Sequence, residues 1–195
     1  MSDIYKNFQE LARNEEEGAD YSISFVGRGH KLIVVAPHAG VIEVGTSEIS
    51  ALIAGDDLSL YRFESHKIVD ENYVSLHITS HIFDEPTCIN AVKGHDTVVT
   101  IHGCNDAEEI VFLGGLDKVL IHIIADSIRS MAVEVRTVGH RFPGKHHNNI
   151  CNRGRSGMGV QIELSEPLRR PENRSLIAGA IRTCLEKFLD NQANQ

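Results

Sequence analysis

Apolar and polar positions along the chain switch repeatedly between a period of two and a period of about 3.6, which predicts strands and helices in alternation. Strands are predicted at Ser22–Val26, Lys31–Ala36, Leu58–Phe63, Tyr73–Ile78, Thr97–His102, Val111–Gly114, Ala132–Val138 and Val160–Ser165. The first two, joined by Gly27-Arg28-Gly29-His30, are expected to form a hairpin. Helical spacing is loose over Asp3–Arg13 and clearer over Thr46–Ala54, Pro86–Val92, Asp117–Arg129 and Asn173–Leu189. The last of these repeats apolar residues at Leu176, Ile177, Ala180, Ile181, Cys184, Leu185 and Phe188. Thr97–His102 is an almost unbroken β-branched run, as expected of a strand covered on both faces. The pattern implies an α/β fold: a single-domain three-layer sandwich with a central mixed β-sheet between helical layers. No internal repeat or low-complexity linker divides residues 1–195, and residues 1–20 are expected as a loosely packed N-terminal helix.

Composition narrows the function. No apolar run approaches the roughly 18 residues needed to span a bilayer. The acidic, polar start MSDIYKNFQELARNEEEGAD has no secretory pattern, so a soluble protein, cytoplasmic at synthesis, is expected. Cys88, Cys104, Cys151 and Cys184 include no CxxC pair and read as free, mostly buried thiols. A net charge of -8 argues against general affinity for nucleic acid or an anionic membrane. Within that acidic chain one segment is basic: Arg136, Arg141, Lys145, Arg153, Arg155, Arg169 and Arg170 stand against only Glu163 and Glu166. Such a segment suits an anionic partner, although charge runs are also commonly plain solvated surface. Eleven histidines and no tryptophan lean toward metal or proton chemistry.

His38 follows one buried run and His102 ends another, so two strands deliver histidines to one sheet edge, where α/β sheets bind ligands. Glu43 follows His38 across a loop containing Gly40 and closed by Gly45. Two imidazoles and one carboxylate leave a fourth position of a tetrahedral zinc open for water, the catalytic rather than the structural pattern. Taken singly, each histidine reads as an ordinary strand-end residue and Glu43 as a surface acid; the combination favours a metal. In GVQIELS, alternation puts Val160, Ile162 and Leu164 on one face and Gln161, Glu163 and Ser165 on the other. Glu163 is thereby a candidate general base, with Glu64 and Glu134 as rivals. His77 and His81 are candidates to orient a metal ligand. His146 and His147 are either substrate contacts or solvated side chains.

The residues PHAGVIE at Pro37–Glu43, TIHG at Thr100–Gly103 and GVQIELS at Gly159–Ser165, in this order, resemble the poly-γ-glutamate hydrolase family. That family is known from bacteriophages and bacilli, and its fold is a compact relative of the zinc carboxypeptidases. The likeness runs from about Tyr21 to Leu189 and includes SHIFDEP at Ser80–Pro86 and NICNRGRSG at Asn149–Gly157. It implies a zinc-carboxypeptidase-like fold, one Zn2+ per chain on His38, Glu43 and His102, and Glu163 as catalytic acid/base. It also implies hydrolysis of γ-glutamyl amide bonds within poly-γ-glutamate, an anionic polymer. Four residues separate His38 from Glu43, where the carboxypeptidases have two, so the wider group's site geometry does not transfer directly. For the substrate's carboxylates, Arg153 and Arg155 are candidate bidentate partners, with Asn152 beside Arg153 resembling the Asn-Arg pair of the carboxypeptidases. A monomer is expected, released by host lysis if it serves a phage. Two alternatives stay open: a zinc amidohydrolase of small N-acylated acidic amino acids, and a non-enzymatic binding factor using the basic loop.

Overall fold

A computed structural model of the chain describes residues 3–29, 31–67 and 76–193. Seven strands form one sheet: β1 (Tyr21–Val26), β2 (Leu32–Gly40), β3 (Ser59–Ser65), β4 (Thr97–Gly103), β5 (Ile110–Gly115), β6 (Glu134–Arg136) and β7 (Val160–Leu164). Their spatial order is β1-β3-β2-β4-β7-β5-β6. Strands β3, β2, β4 and β7 run parallel, whereas β1 lies antiparallel to β3 and β5 antiparallel to β7.

The hairpin expected between the first two strands does not form. Strand β3 lies between them, with Tyr21 opposite Ser65 and Val26 opposite Leu60. The burial pattern explains the outcome. β2 is buried at eight of its nine positions, so both its edges and both its faces must be covered. β1 carries Ser22 and Ser24 and grades from buried to exposed, a composition suited to a sheet edge.

Successive residues of the central strands point into two separate cores. Leu32, Val34, Val99, Ile101 and Ile162 pack against α2 (Thr46–Ala54), α4 (Lys118–Arg129) and α5 (Pro171–Ala193). Ile33, Val35, Val98, Tyr61 and Phe63 face the other way, onto α1 (Phe8–Asn14) and α3 (Pro86–Lys93). The result is the three-layer mixed-sheet sandwich. Local signals set the helix starts. Asp117 accepts from Leu120 N–H to open α4, and Glu85 accepts from the N–H groups of Thr87 and Cys88 to open α3. Helix α1 docks through buried Leu11, and Phe8 sits edge-on to Tyr21 with ring centroids 6.1 Å apart.

Two predicted strands differ. Ala132–Val138 contracts to β6 because Ala132 has φ 61°, a left-handed turn conformation no strand contains. Leu76, His77 and Ile78 are not strand, and the rest of the predicted Tyr73–Ile78 run lies outside the described residues. Among the described residues, no helix is long and apolar enough to cross a membrane.

Candidate active site at the carboxyl ends of the central strands

From β2 the chain passes to β3 on one side, while β4 occupies the other, so the sheet has its switch point between β2 and β4. Crevices at such points are where open α/β sheets take ligands. His38 is near the end of β2, His102 near the end of β4, and Glu163 pairs with His102 in register across β4 and β7. The β2–β3 register slips between Ala36 and Ala39, around Pro37, which has no N–H for the ladder. That irregularity spans His38 itself, two residues before the end of β2. The Glu43 N–H then donates to the His38 carbonyl at 3.0 Å, closing a turn that brings the glutamate back over the histidine.

Three side chains converge. Glu43 Oε1 is 3.1 Å from His38 Nδ1, and Glu43 Oε2 is 3.6 Å from His102 Nδ1. The two Nδ1 atoms are 3.1 Å apart. Glu43 Oε2 also accepts from the Gly103 N–H at 2.8 Å. His38 Nε2 lies 2.9 Å from the Ile78 carbonyl, which can only accept, so this nitrogen holds a proton and Nδ1 is the ring atom turned toward Glu43 and His102. His102 Nε2 is buried and makes no hydrogen bond among the described residues. Two imidazole nitrogens and a carboxylate pressed together at these distances are an electron-rich cluster that a single shared proton satisfies incompletely. The donors fit a divalent cation, and two imidazoles with one carboxylate suit zinc, with a position left toward the cavity.

The electrostatics separate the two carboxylates. Burial opposes the charge of Glu43, but the nearby His38 and hydrogen bonds from His102 and His38 outweigh it and hold the carboxyl well below its usual range. Burial pushes Glu163 the other way, well above the usual range; the Glu43 charge adds to this, and His38, the Gln161 amide and Arg141 oppose it. One acid whose surroundings favour its charge beside one whose burial favours taking up a proton is the division of labour that acid–base sites use.

His77, expected in a supporting role, offers a ring nitrogen that lies with His38 and Glu43 atoms within a 4.8 Å cluster. Its ring centroid is 4.0 Å from that of His38, and its Nδ1 is 2.6 Å from Asp3 Oδ1. Burial, helped by the His38 charge, lowers its pKa to about 4 despite Asp3. His81 sits further out on the rim, with its ring 5.2 Å from that of His146.

His38, Glu43, His77, His81, His102 and Glu163 all line one cavity of about 750 Å³. Glu64 and Glu134 are not in its wall: they pair with Arg62 and Arg136. Nor are Arg153 and Arg155 brought to it. Arg153 Nη1 donates to the Phe83 carbonyl at 3.3 Å, and exposed Arg155 pairs with Asp96. Asn152 is buried behind the wall, donating to the Gly144 and His146 carbonyls and accepting from the Gly159 N–H. It shapes the loop that lines the cavity. The cations on the wall are instead Arg141, Lys145 and Arg169. Arg141 pairs with Asp106 and lies 4.7 Å over the Phe142 ring. Arg169 is buried and spends its guanidinium on the carbonyls of Val44, Cys104 and Leu164. A side chain on Gly103 would collide with that guanidinium, with its Cβ only 2.5 Å from Arg169 Cζ.

Fold and site together define a mixed-sheet α/β protein with a buried histidine–carboxylate cluster at a sheet switch point. The family follows from sequence: the poly-gamma-glutamate hydrolase family profile matches residues 5–179, and the chain belongs to that family. Among curated relatives, the UPF0714 protein YndL of Bacillus subtilis (strain 168) is 32% identical over 170 residues, covering 86% of this chain and 66% of YndL. The SPbeta prophage-derived UPF0714 protein YoqZ of the same strain is 32% identical over 194 residues, 97% of this chain and 69% of YoqZ. The chain therefore spans about two thirds of the length of these relatives. A bacteriophage poly-gamma-glutamate hydrolase superposes with a TM-score of 0.89 at 29% identity, covering 96% of this chain and 98% of its own. The zinc-free apo form of YndL gives 0.84 at 29% identity, covering 98% and 99%. An N-formylglutamate amidohydrolase from Ralstonia eutropha JMP134, at 12% identity and a TM-score of 0.54 over 89% of this chain and 99% of its own, shares the fold alone.

Proposed function

We propose that this chain is a zinc-dependent hydrolase of the γ-glutamyl amide bonds in poly-γ-glutamate, acting as a monomer with one metal ion. The observation that carries the reading is the approach of His38 Nδ1, His102 Nδ1 and the Glu43 carboxylate to within 3.1–3.6 Å, on the wall of a cation-lined cavity that Glu163 shares. In this reading His38, Glu43 and His102 hold zinc, which when bound would polarise the scissile carbonyl and acidify water. The Ile78 carbonyl fixes the His38 ring with Nδ1 forward, and the Gly103 N–H fixes the Glu43 carboxylate. Glu163, whose burial favours holding a proton, accepts one from the attacking water and returns it to the departing amine. Every unit of the polymer carries a free α-carboxylate. Lys145, exposed on the rim, and Arg141, anchored over Phe142, supply counter-charge where a bound chain would run.

The test is size-exclusion analysis of poly-γ-glutamate incubated with the zinc-loaded protein and with Glu163→Gln. The polymer shortens to oligomers with the parent and stays intact with the variant, which still binds zinc. Unchanged cleavage by Glu163→Gln would move the proton acceptor elsewhere. Cleavage confined to small N-acylated glutamates, with the polymer untouched, would replace the substrate.

A further inference from the structure

We infer that Asn149 and Gln161 are positioning residues, a two-amide relay that presents Glu163 to the cavity in one orientation; this rests on Glu163 being the proton acceptor. Both side chains are buried and both belong to the cavity wall, yet neither is among the residues that sequence patterns single out for chemistry. An amide can point either way, and here a backbone group decides. The Cys151 N–H, which can only donate, is 3.2 Å from Asn149 Oδ1. Asn149 Nδ2 must then face outward, and it donates to Gln161 Oε1 at 2.7 Å. That commits Gln161 Nε2 to donate as well, and it reaches Glu163 Oε1 at 2.8 Å. The chain of donation thus runs in one direction, from a short 3-10 turn at Ile150–Arg153 to a single oxygen of Glu163. The other carboxylate oxygen is left for the reacting atoms.

Strand geometry makes the relay economical. Gln161 and Glu163 are two apart on β7 and so share a face, and Gly144 packs against Gln161, a Cβ at that glycine falling 3.4 Å from Oε1. A rotation of Gln161 would set its carbonyl against the Glu163 carboxylate and break the bond to Asn149. Two buried hydrogen bonds therefore hold Gln161 in place, and one of them holds the glutamate. In the ionised form of Glu163 that accepts the proton, loss of this bond corresponds to a factor of about 10–100. Because the loss concerns the proton-transfer geometry, it falls on kcat and spares KM.

The experiment compares Gln161→Met, Asn149→Ala, the double variant and Glu163→Gln, all zinc-loaded, on poly-γ-glutamate. Gln161→Met lowers kcat roughly 10- to 100-fold with KM within twofold, and Asn149→Ala lowers it less. The double variant is no worse than Gln161→Met alone, because both act through one bond. A second readout needs no variant at that position: the Gln161 side-chain NH2 protons exchange slowly in the NMR spectrum of the parent and shift in Glu163→Gln. Parent-like kcat in Gln161→Met, or additive losses, or rapidly exchanging Gln161 amide protons would each overturn the relay. Parent-like turnover in Glu163→Gln would instead overturn the reading beneath it.

Discussion

Arg169 offers a stringent test of how the site is held. Its guanidinium reaches three carbonyls, each next to a site segment: Val44 follows Glu43, Cys104 lies two residues after His102, and Leu164 follows Glu163. One side chain thus ties together the backbone beneath the proposed metal ligands and the proton acceptor. In Arg169→Met the stem's packing is kept and the donors are lost. The bonds to Leu164 and Cys104, 3.1 and 3.0 Å, are buried, whereas Val44 is exposed enough to find water. The Leu164 carbonyl keeps a second donor, the Cys104 N–H at 2.9 Å, so one stranded carbonyl, that of Cys104, costs about 1–3 kcal/mol. For a chain of 195 residues this lowers the thermal midpoint by roughly 2–10 °C. The assay is differential scanning calorimetry of the metal-free protein, with Arg170→Met as the control: Arg170 is exposed and pairs with exposed Glu166 four residues back, so its loss leaves the midpoint unchanged within error. A midpoint for Arg169→Met equal to that of Arg170→Met would refute the argument that the Cys104 carbonyl depends on the guanidinium.

Two further outcomes follow from other parts of the molecule. Burial, reinforced by the hydrogen bond to Glu15, raises the Tyr5 phenol to about 12 from an ordinary value near 10. A raised pKa means the folded state keeps a proton that the unfolded state loses, so this stability is complete below pH 10 and disappears as pH rises toward 12. Denaturant melts at pH 9 and pH 11.5 show a smaller loss in Tyr5→Phe than in the parent; equal losses contradict the assignment. Lys145→Ala raises KM for poly-γ-glutamate about 3- to 10-fold with little change in kcat, whereas Arg155→Ala, whose partner is Asp96, leaves both unchanged. The reverse result would return substrate recognition to the residues that the motif suggested.

Much of this architecture was legible because burial writes itself into sequence. Thr97–His102 and Lys31–Ala36 read as covered strands, and Asp117 and Gly55 mark helix boundaries, since capping chemistry is local. Pairing is not local. The Gly-rich link after Val26 looked like a hairpin turn, but β2 needs two parallel neighbours, a demand set by the whole sheet. The meeting of His38 and His102 was readable for a related reason: both end apolar strands, and adjacent parallel strands deliver their ends to one edge. Arginine placement was not readable. Residues 139–159 are loop and 3-10 turn with no period, so the sequence showed a basic segment without showing that Lys145 faces the cavity and Arg155 faces Asp96. Gln161 was visible on the Glu163 face of its strand, but its partner Asn149 was not, because that contact depends on how the loop folds back.

The most direct test of the account is elemental analysis of the purified chain and of His38→Ala, Glu43→Ala, His102→Ala and Gln161→Met. The parent and Gln161→Met hold one zinc per chain, and each of the first three substitutions removes it. Full zinc in His102→Ala or Glu43→Ala, or a parent chain that takes up no zinc when supplied with it, would contradict the proposed centre.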